Sequence, residues 1–288
     1  MPRFTHCHRL LRTSAVQTPR DVLTSLYYFR ALDDRAPYQY VHDPPAGIAK
    51  ENLGVQAYPV KIDDARGREI EFTLDNSGFQ FITHVSEERQ FDDEQCIRTT
   101  YYREIVELLK RATAAKRVHV FDHTIRTKQT EIGQRSPNRG PVERVHVDQT
   151  FDAALHRVRH ELPDEADRLL QRRIRIVNVW RPIHHPVAHK PLAVSDWRSV
   201  DKEHDLVPVR LIYPDRESSS FSVRYNCAHR WYYLSNQTPD EVILIKCYDS
   251  AVDRARLAPH SAFVDSGSSP SAPHRHSIEV RCLVFDTE

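Results

Sequence analysis

Alternation of apolar and polar residues predicts a chain built largely from β-strands. The clearest case is residues 142–150, where Val145 and Val147 alternate with His146 and Asp148, the period of a half-buried strand. Further strands are predicted over residues 69–74, 78–82, 117–126, 174–182, 206–213, 220–234, 241–248 and 277–285. Residues 242–245 are apolar at both parities, so this strand is expected to be buried on both faces.

Helical periodicity is concentrated in the first two-thirds of the chain. Within residues 87–116, Ile105, Leu108 and Leu109 belong to an apolar stripe suited to packing on a sheet, and shorter helices are predicted over 151–160 and 163–173. Residues 1–60 show little periodicity and are predicted to form an irregular extension that packs on a core of residues 61–288. The expected fold is α+β, with residues 1–288 forming one domain whose second half is a sandwich or barrel.

Composition narrows the class of protein. The 288 residues carry a net charge of +1 without runs of like charge, which argues against nucleic acid as a partner. No apolar stretch approaches the roughly 20 residues that span a bilayer, so no membrane partner is expected. Five scattered cysteines favour a reducing, cytoplasmic location. Seven glycines form neither a dinucleotide-binding pattern, a P-loop nor a nucleophile elbow.

The His146-x-Asp148 pair is the strongest chemical signal in the chain. On a strand, residues two apart point to the same side, so this imidazole and this carboxylate converge. A distant histidine would complete the 2-His-1-carboxylate triad of a non-haem iron oxygenase. Two solvated polar residues at a strand edge are the alternative on spacing alone.

Two distal histidines can complete such a triad. His260 is followed by Arg275 and Ser277, and His204 is followed by Arg216 and Ser218. An arginine near the distal histidine suits a carboxylate because its planar fork donates two parallel hydrogen bonds. The first set is preferred because Arg275 opens a strand, whereas Arg216 lies in a turn-like sequence. Glu279 and Arg281 share the parity of Arg275, so either the barrel interior is polar there or a bulge shifts the register.

The remaining histidines lack the context of a metal site. His156 and His160 have helical i,i+4 spacing without the glutamate of a zinc protease, so a solvated helix face is favoured. The group from His184 to His189 lies in a proline-broken loop. The polar segment 127–141, directly before the His146 strand, is long enough to act as a lid.

A set of ordered segments resembles one known family. These are residues 120–126 (VFDHTIR), 145–150 (VHVDQT), 178–182 (NVWRP), 191–193 (PLA), 229–233 (HRWYY), 240–250 (DEVILIKCYDS), 259–263 (PHSAF) and 275–281 (RHSIEVR). From about residue 60 to the C-terminus the chain resembles the fungal AsaB-type hydroxylase/desaturase family, which includes gibberellin-desaturase-like and cephem-methoxylase-like proteins.

The resemblance implies a distorted double-stranded β-helix, of the jelly-roll or cupin-like kind, with flanking helices. It also implies an Fe(II)/2-oxoglutarate-dependent dioxygenase that consumes O2 and hydroxylates, desaturates or otherwise oxidises a small-molecule natural product. Carried over, His146, Asp148 and His260 would hold iron, and Arg275 with Ser277 would hold 2-oxoglutarate. By a weaker transfer, Asn178 or Trp180 would touch the near end of the co-substrate.

Substrate contacts and partners are less closely defined. Aromatic and arginine residues suit an oxygenated polycyclic or aromatic compound, and the candidates are Arg126, Trp180, Arg181, His229, Trp231 and Tyr232. A homodimer, or a heterodimer with a related oxygenase subunit, is compatible with the resemblance. The alternatives are a non-catalytic family member that binds a small molecule or serves as a partner subunit, and an iron enzyme that works without 2-oxoglutarate.

Overall fold

The computed structural model describes residues 19–127 and 140–288. The predicted lid over 127–141 therefore falls for the most part outside the described residues. In chain order the strands are β1 (Val22–Ala31), β2 (Tyr38–Tyr40), β3 (Leu53–Asp64), β4 (Phe79–Thr83), β5 (Arg117–Arg126), β6 (His146–Val147), β7 (Ile174–Pro182), β8 (Leu192–Ser195), β9 (Leu206–Ile212), β10 (Glu217–Val223), β11 (Trp231–Tyr233), β12 (Glu241–Asp249), β13 (His260–Ala262) and β14 (Ser277–Phe285).

The helices are short and lie between strands. They are α1 (Glu94–Cys96), a π-helical turn (Ile97–Tyr101), α2 (Tyr102–Thr113), α3 (Phe151–Glu161) and α4 (Ala166–Leu169), with 3-10 turns at Glu69–Glu71 and Trp197–Ser199. The stripe predicted for α2 is confirmed, because Ile105, Leu108 and Leu109 are buried. Helix α3 begins at a Thr150 N-cap whose side chain accepts a hydrogen bond from the Ala153 amide.

Two sheets organise the described part of the chain. A nine-stranded sheet has the order β1-β3-β11-β8-β13-β6-β10-β9-β2, and a five-stranded sheet has the order β4-β12-β7-β14-β5. All pairs of the smaller sheet are antiparallel. The two sheets share a core, with α2 packed on the outer face of the smaller sheet. This is the expected distorted double-stranded β-helix of the jelly-roll class, and the predicted α+β architecture is confirmed.

Strand parity divides the smaller sheet into an inner and an outer face. On β7, Ile174 and Ile176 pack in the core shared with the larger sheet, whereas Val177 and Val179 pack with α2. Leu283 of β14 likewise faces inward, and its even-numbered neighbours face α2. Polar residues at inward positions are thus placed between the two sheets.

Several sequence expectations are corrected by the structure. Residues 22–31 and 53–60 were predicted to be irregular, but they form strands, because β1 pairs with β3 along ten residues. The sequence pattern did not predict β1, because the adjacent Tyr28 and Phe29 are both buried, in different clusters, so apolar and polar residues do not alternate there. The predicted strand 69–74 is a 3-10 turn and loop, the predicted strand 220–234 is divided into β10 and β11, and the predicted helix 163–173 shortens to α4.

Among the described residues, no helix combines the length and the apolar character that crossing a membrane requires.

A close backbone approach at Gly78 yields a stability prediction. Its φ is +85°, and a Cβ atom there would lie 2.5 Å from the Leu257 carbonyl oxygen. We expect Gly78→Ala to lower the free energy of unfolding by roughly 2 kcal/mol or more, measured by urea denaturation. Gly67→Ala is the control, because Gly67 also has a positive φ of +77° but open space around it. Equal losses in the two variants would contradict the role of the Leu257 contact.

Candidate metal centre and adjoining cavities

Neighbouring strands of the larger sheet bring two histidines and one aspartate together. His146 on β6 and His260 on β13 are cross-strand partners, and Asp148 follows β6 at the same parity as His146. The Asp148 Oδ1 atom lies 3.4 Å from His146 Nε2 and 3.8 Å from His260 Nε2. One ligand atom from each residue lies within 4.8 Å of the others, a spacing that can surround a metal ion.

Both imidazoles are oriented by the backbone. His146 Nδ1 donates to the Arg144 carbonyl at 2.8 Å, and His260 Nδ1 donates to the Ala258 carbonyl at 3.1 Å. Because a carbonyl only accepts, each Nδ1 carries a proton, and in the neutral ring the lone pair is then on Nε2. Both lone pairs are therefore on the side of Asp148, as metal ligation requires.

The second oxygen of Asp148 is held by the smaller sheet. Asn178 on β7 donates to Asp148 Oδ2 at 2.8 Å, and Arg281 Nε on β14 donates to the same oxygen at 3.0 Å. Asn178 also donates to Glu279 at 2.9 Å. The barrel interior is thus polar at Glu279 and Arg281. The register shift between β14 and β5 comes only after Arg281, and its extra residue, Phe121, is on β5.

Burial and charge oppose each other in this centre. Burial raises the pKa of Asp148, but Arg281 and the two histidines outweigh it and hold that pKa well below its usual value. Burial, followed by the charge of His146, lowers the pKa of His260 to about 4. At neutral pH the site therefore presents a carboxylate and a neutral His260 imidazole, the protonation states that bind a metal.

A narrow cavity beside the triad contains unpaired donors. It is lined by His146, Asp148, His260, Trp180, Arg275, Leu192 and other residues. Arg275 Nη1 donates to the Lys190 carbonyl at 2.8 Å, and its guanidinium lies 5.4 Å from the centre of the Trp180 ring. Arg275 Nε and Ser277 Oγ are buried and have no partner among the described residues. A carboxylate bound beside Arg275 would satisfy its unpaired Nε, a donor that fits 2-oxoglutarate. Ser277 follows two residues later but is not among the residues that line this cavity.

A larger cavity of about 600 Å³ also borders Asp148. Its lining is Val41, His42, Phe121, Asp122, Thr124, Arg126, Asp148, Gln149, Arg157, His160, Glu161, Leu211, Tyr213, Arg216, Ser218 and Arg281. Arg126 and Asp148 border both cavities. A small molecule held here would therefore contact Asp148 of the triad and Arg126, which also border the narrow cavity.

The substrate candidates of the sequence fall into two groups. Arg126 lines both cavities and Trp180 lines the narrow one, but four others line neither of these two cavities. Arg181 has outward parity on β7, where it contacts Tyr101 and His84. The other three are His229, Trp231 and Tyr232, which pack against Asp205, Tyr28 and Phe72 respectively.

The alternative distal set does not assemble with the triad. His204 is exposed and pairs with Asp201. Arg216 and Ser218 instead line the larger cavity, away from the narrow one. Gln149, which the sequence did not single out, also lines the larger cavity, and its buried Oε1 has no partner among the described residues. The sequence signal that could have identified Gln149 as a site residue was its position directly after Asp148.

Comparisons with known proteins agree with this geometry. A family profile described as "Oxidoreductase/YMDC permease-like domain" matches residues 26–285. Hydroxylase/desaturase efuI of Hormonema carpetanum is 37% identical over 296 residues, covering 95% of this chain and 97% of that protein. Hydroxylase/desaturase asaB of Aspergillus flavus is 33% identical over 245 residues, covering 80% and 82% of the two chains.

A third relative links the sequence to solved structures. Fe(II)/2-oxoglutarate-dependent dioxygenase nvfI of Aspergillus novofumigatus is 34% identical over 249 residues, covering 84% and 88% of the two chains. A structure of the iron and alpha-ketoglutarate-dependent endoperoxidase NvfI matches with a TM-score of 0.84 and 31% identity, covering 93% of this chain and 99% of the other.

Fold and site together define a non-haem iron oxygenase of the 2-oxoglutarate-dependent class. Within that class, the chain belongs to the fungal hydroxylase/desaturase family, and the resemblance to its AsaB-type members is confirmed.

The lowered pKa of His260 predicts how the metal-free protein responds to acid. The folded pKa of about 4 lies below the value of 6.5 for an unperturbed histidine, so the unfolded chain binds the proton more readily. We expect His260 to cost the protein up to about 3 kcal/mol of stability as the pH falls from 7 to 4. His260→Gln should reduce this loss, measured by urea denaturation at several pH values with a chelator present.

His204→Gln is the matched control for this measurement. The hydrogen bond to Asp201 raises the pKa of His204, so this residue stabilises the fold below its unfolded pKa and loses that effect as the pH rises. Its removal should make the loss in acid steeper rather than shallower. An unchanged slope in His260→Gln would contradict the predicted pKa.

Proposed function

We propose that residues 1–288 form one Fe(II)/2-oxoglutarate-dependent oxygenase domain that oxidatively tailors a small-molecule natural product. Hydroxylation and desaturation are the outcomes in the names of the relatives efuI and asaB, and endoperoxide formation is in the name of NvfI. The observation that carries the proposal is the meeting of His146, Asp148 and His260 beside the buried, unpaired Arg275 Nε. A cytoplasmic location and a homodimer or heterodimer stay predictions.

In this proposal His146, Asp148 and His260 hold Fe(II). The two Nε2 atoms and Asp148 Oδ1 approach from one side, which leaves positions open toward the cavities. The larger sheet supplies all three ligands, so their mutual distances depend on the pairing of β6 with β13. Backbone carbonyls keep the imidazoles in the ligating tautomer without help from the substrate.

Arg275 and Ser277 bind 2-oxoglutarate in the narrow cavity. The Lys190 carbonyl and the Trp180 ring orient the guanidinium, so little conformational freedom remains to be lost on binding. Burial, followed by the charge of Arg126, lowers the pKa of Arg275 to about 9, which still leaves the group charged at neutral pH. An incoming carboxylate relieves this unfavourable burial and pairs with Ser277 Oγ.

Asn178 does not act as a donor to 2-oxoglutarate in this proposal. Its amide nitrogen donates to Asp148 and Glu279, and both partners are carboxylates. Because carboxylates accept, the orientation of the amide is determined, and its two N–H groups are used. The sequence-based transfer of a co-substrate role to Asn178 is therefore replaced by a role beside Asp148.

The substrate occupies the larger cavity. When bound, Fe(II) and 2-oxoglutarate supply the oxidising power that removes hydrogen from a substrate carbon, with O2 consumed and succinate and carbon dioxide released. The chain places that carbon next to Asp148 and limits access of water. Arg126, at the border of both cavities, is positioned to contact substrate and co-substrate.

Removal of a metal ligand should abolish turnover. We expect His146→Ala and Asp148→Ala to reduce succinate formation at least about 100-fold while the folded structure is kept, because only two ligands remain. Succinate is measured with 2-oxoglutarate and a substrate identified in a compound screen. His156→Ala is the control, since His156 is exposed on α3. Full succinate production by either ligand variant would refute the triad.

Removal of the guanidinium should weaken binding of the co-substrate. We expect Arg275→Ala to raise the KM for 2-oxoglutarate roughly 10- to 100-fold, the loss of a charged hydrogen bond of about 1.5–3 kcal/mol. Arg216→Ala is the comparison, because Arg216 lines the larger cavity instead. An increased KM for 2-oxoglutarate in Arg216→Ala, with none in Arg275→Ala, would reverse the assignment.

A further inference from the structure

We propose that Arg281 and Asn178 are positioning residues that make Asp148 a ligand through one oxygen only. This inference rests on the proposed iron site and extends it to residues of the opposite sheet. Arg281 on β14 and Asn178 on β7 are cross-strand partners, and both point inward. Each donates to Asp148 Oδ2, so two strands of the smaller sheet hold a ligand that belongs to the larger sheet.

The two oxygens of Asp148 have different surroundings. Oδ1 lies 3.4 Å from His146 Nε2 and 3.8 Å from His260 Nε2, where a shared metal would lie. Oδ2 accepts from Asn178 at 2.8 Å and from Arg281 at 3.0 Å. Two donors use the lone pairs of Oδ2, so this oxygen cannot turn toward a metal without breaking both bonds.

All three nitrogens of the Arg281 guanidinium contact protein acceptors. Nε bonds to Asp148, Nη2 lies 2.8 Å from Glu279 Oε1, and Nη1 donates to Asp122 at 3.1 Å and to Thr124 at 2.9 Å. Although Arg281 borders the larger cavity, its three nitrogens are already directed to protein acceptors. These contacts account for four of the five N–H groups of the guanidinium, and three of the four acceptors are carboxylates, so the contacts favour a bracing role.

Charge supports the same role. Asp148 and Glu279 are two carboxylates in one interior, and Asn178 donates to both. Arg281 is the guanidinium in contact with both carboxylates. Without it, the two negative charges would repel each other and move Asp148 from its position between the histidines.

One-oxygen ligation has a functional consequence. Three protein ligand atoms would leave room at Fe(II) for 2-oxoglutarate to bind. If Asp148 also bound through Oδ2, it would occupy one of the remaining coordination positions. The two hydrogen bonds to Oδ2 would therefore keep a coordination position at the metal free for the co-substrate.

Metal binding measured without turnover tests this inference. The wild type, Arg281→Met, Arg281→Lys and Asn178→Ala are titrated with Co(II), and the visible absorption is recorded for affinity and coordination number. Anaerobic Fe(II) is then added with 2-oxoglutarate, and the visible charge-transfer band reports bidentate binding of the co-substrate. Arg66→Met is the matched control, because Arg66 also has 14% side-chain exposure and also pairs with a carboxylate, that of Glu241, outside the site.

We expect Arg281→Met and Asn178→Ala to bind Co(II) about 10- to 100-fold more weakly, as is usual when the partner of a metal ligand is removed. At saturating metal, both should show an altered Co(II) spectrum and a weaker band with 2-oxoglutarate. Arg281→Lys should recover part of the affinity, and Arg66→Met should bind metal like the wild type.

The outcomes separate this inference from the proposed function. Wild-type affinity, spectrum and band in both Arg281→Met and Asn178→Ala would overturn it, as would equal metal losses in Arg66→Met. If Arg281→Met does not fold, the same measurements on Asn178→Ala and on the double variant Arg281→Met/Glu279→Gln test the inference. The double variant removes the Glu279 charge that would otherwise repel Asp148. Absence of metal binding by the wild type would instead refute the iron site itself.

Discussion

The position of Asp148 between the two sheets is the constraint on which the rest of the site depends. Its Oδ1 faces two histidines of the larger sheet, and its Oδ2 accepts hydrogen bonds from the smaller sheet. Pairing of β6 with β13 within the larger sheet brings the two histidines together, whereas packing of the smaller sheet determines which way the Asp148 carboxylate is turned. The complete site therefore needs both sheets.

Burial of so many polar groups requires compensation nearby. Along β14 the inward residues change from Ser277, Glu279 and Arg281 to Leu283 and Phe285, which join the apolar core. Carboxylates and donors at the centre satisfy each other, whereas Arg275 Nε and Ser277 Oγ are left without partners in the described structure. Unpaired buried groups cost stability, and a site that binds an anion retains them because the ligand satisfies them.

Residue patterns provided specific reasons for choosing the proposed metal and co-substrate residues, but only general reasons for choosing the substrate candidates. His146 and Asp148 could be paired because neighbours on one strand keep a fixed spacing. His260 and Arg275 were preferred because Arg275 was expected to open a strand, whereas Arg216 lies in a turn-like sequence. Arg181 and Trp231 were selected for residue type alone, and their side chains line neither of the two cavities. Once the register of β7 is known, residue parity shows that Asn178 and Trp180 lie on its inward face, whereas Arg181 lies on its outward face.

The amino-acid sequence by itself determined the strand-rich class, the His146-x-Asp148 pair and the arginine that follows the distal histidine. These features are local or depend on order along the chain, and side-chain periodicity records them directly. Tertiary structure alone decided that Arg281 and Asn178 hold Asp148, and that Arg216 lines the larger cavity. Such contacts join residues 30 and 133 positions apart across two sheets. No spacing along the chain encodes the register and separation of sheets on which those contacts depend.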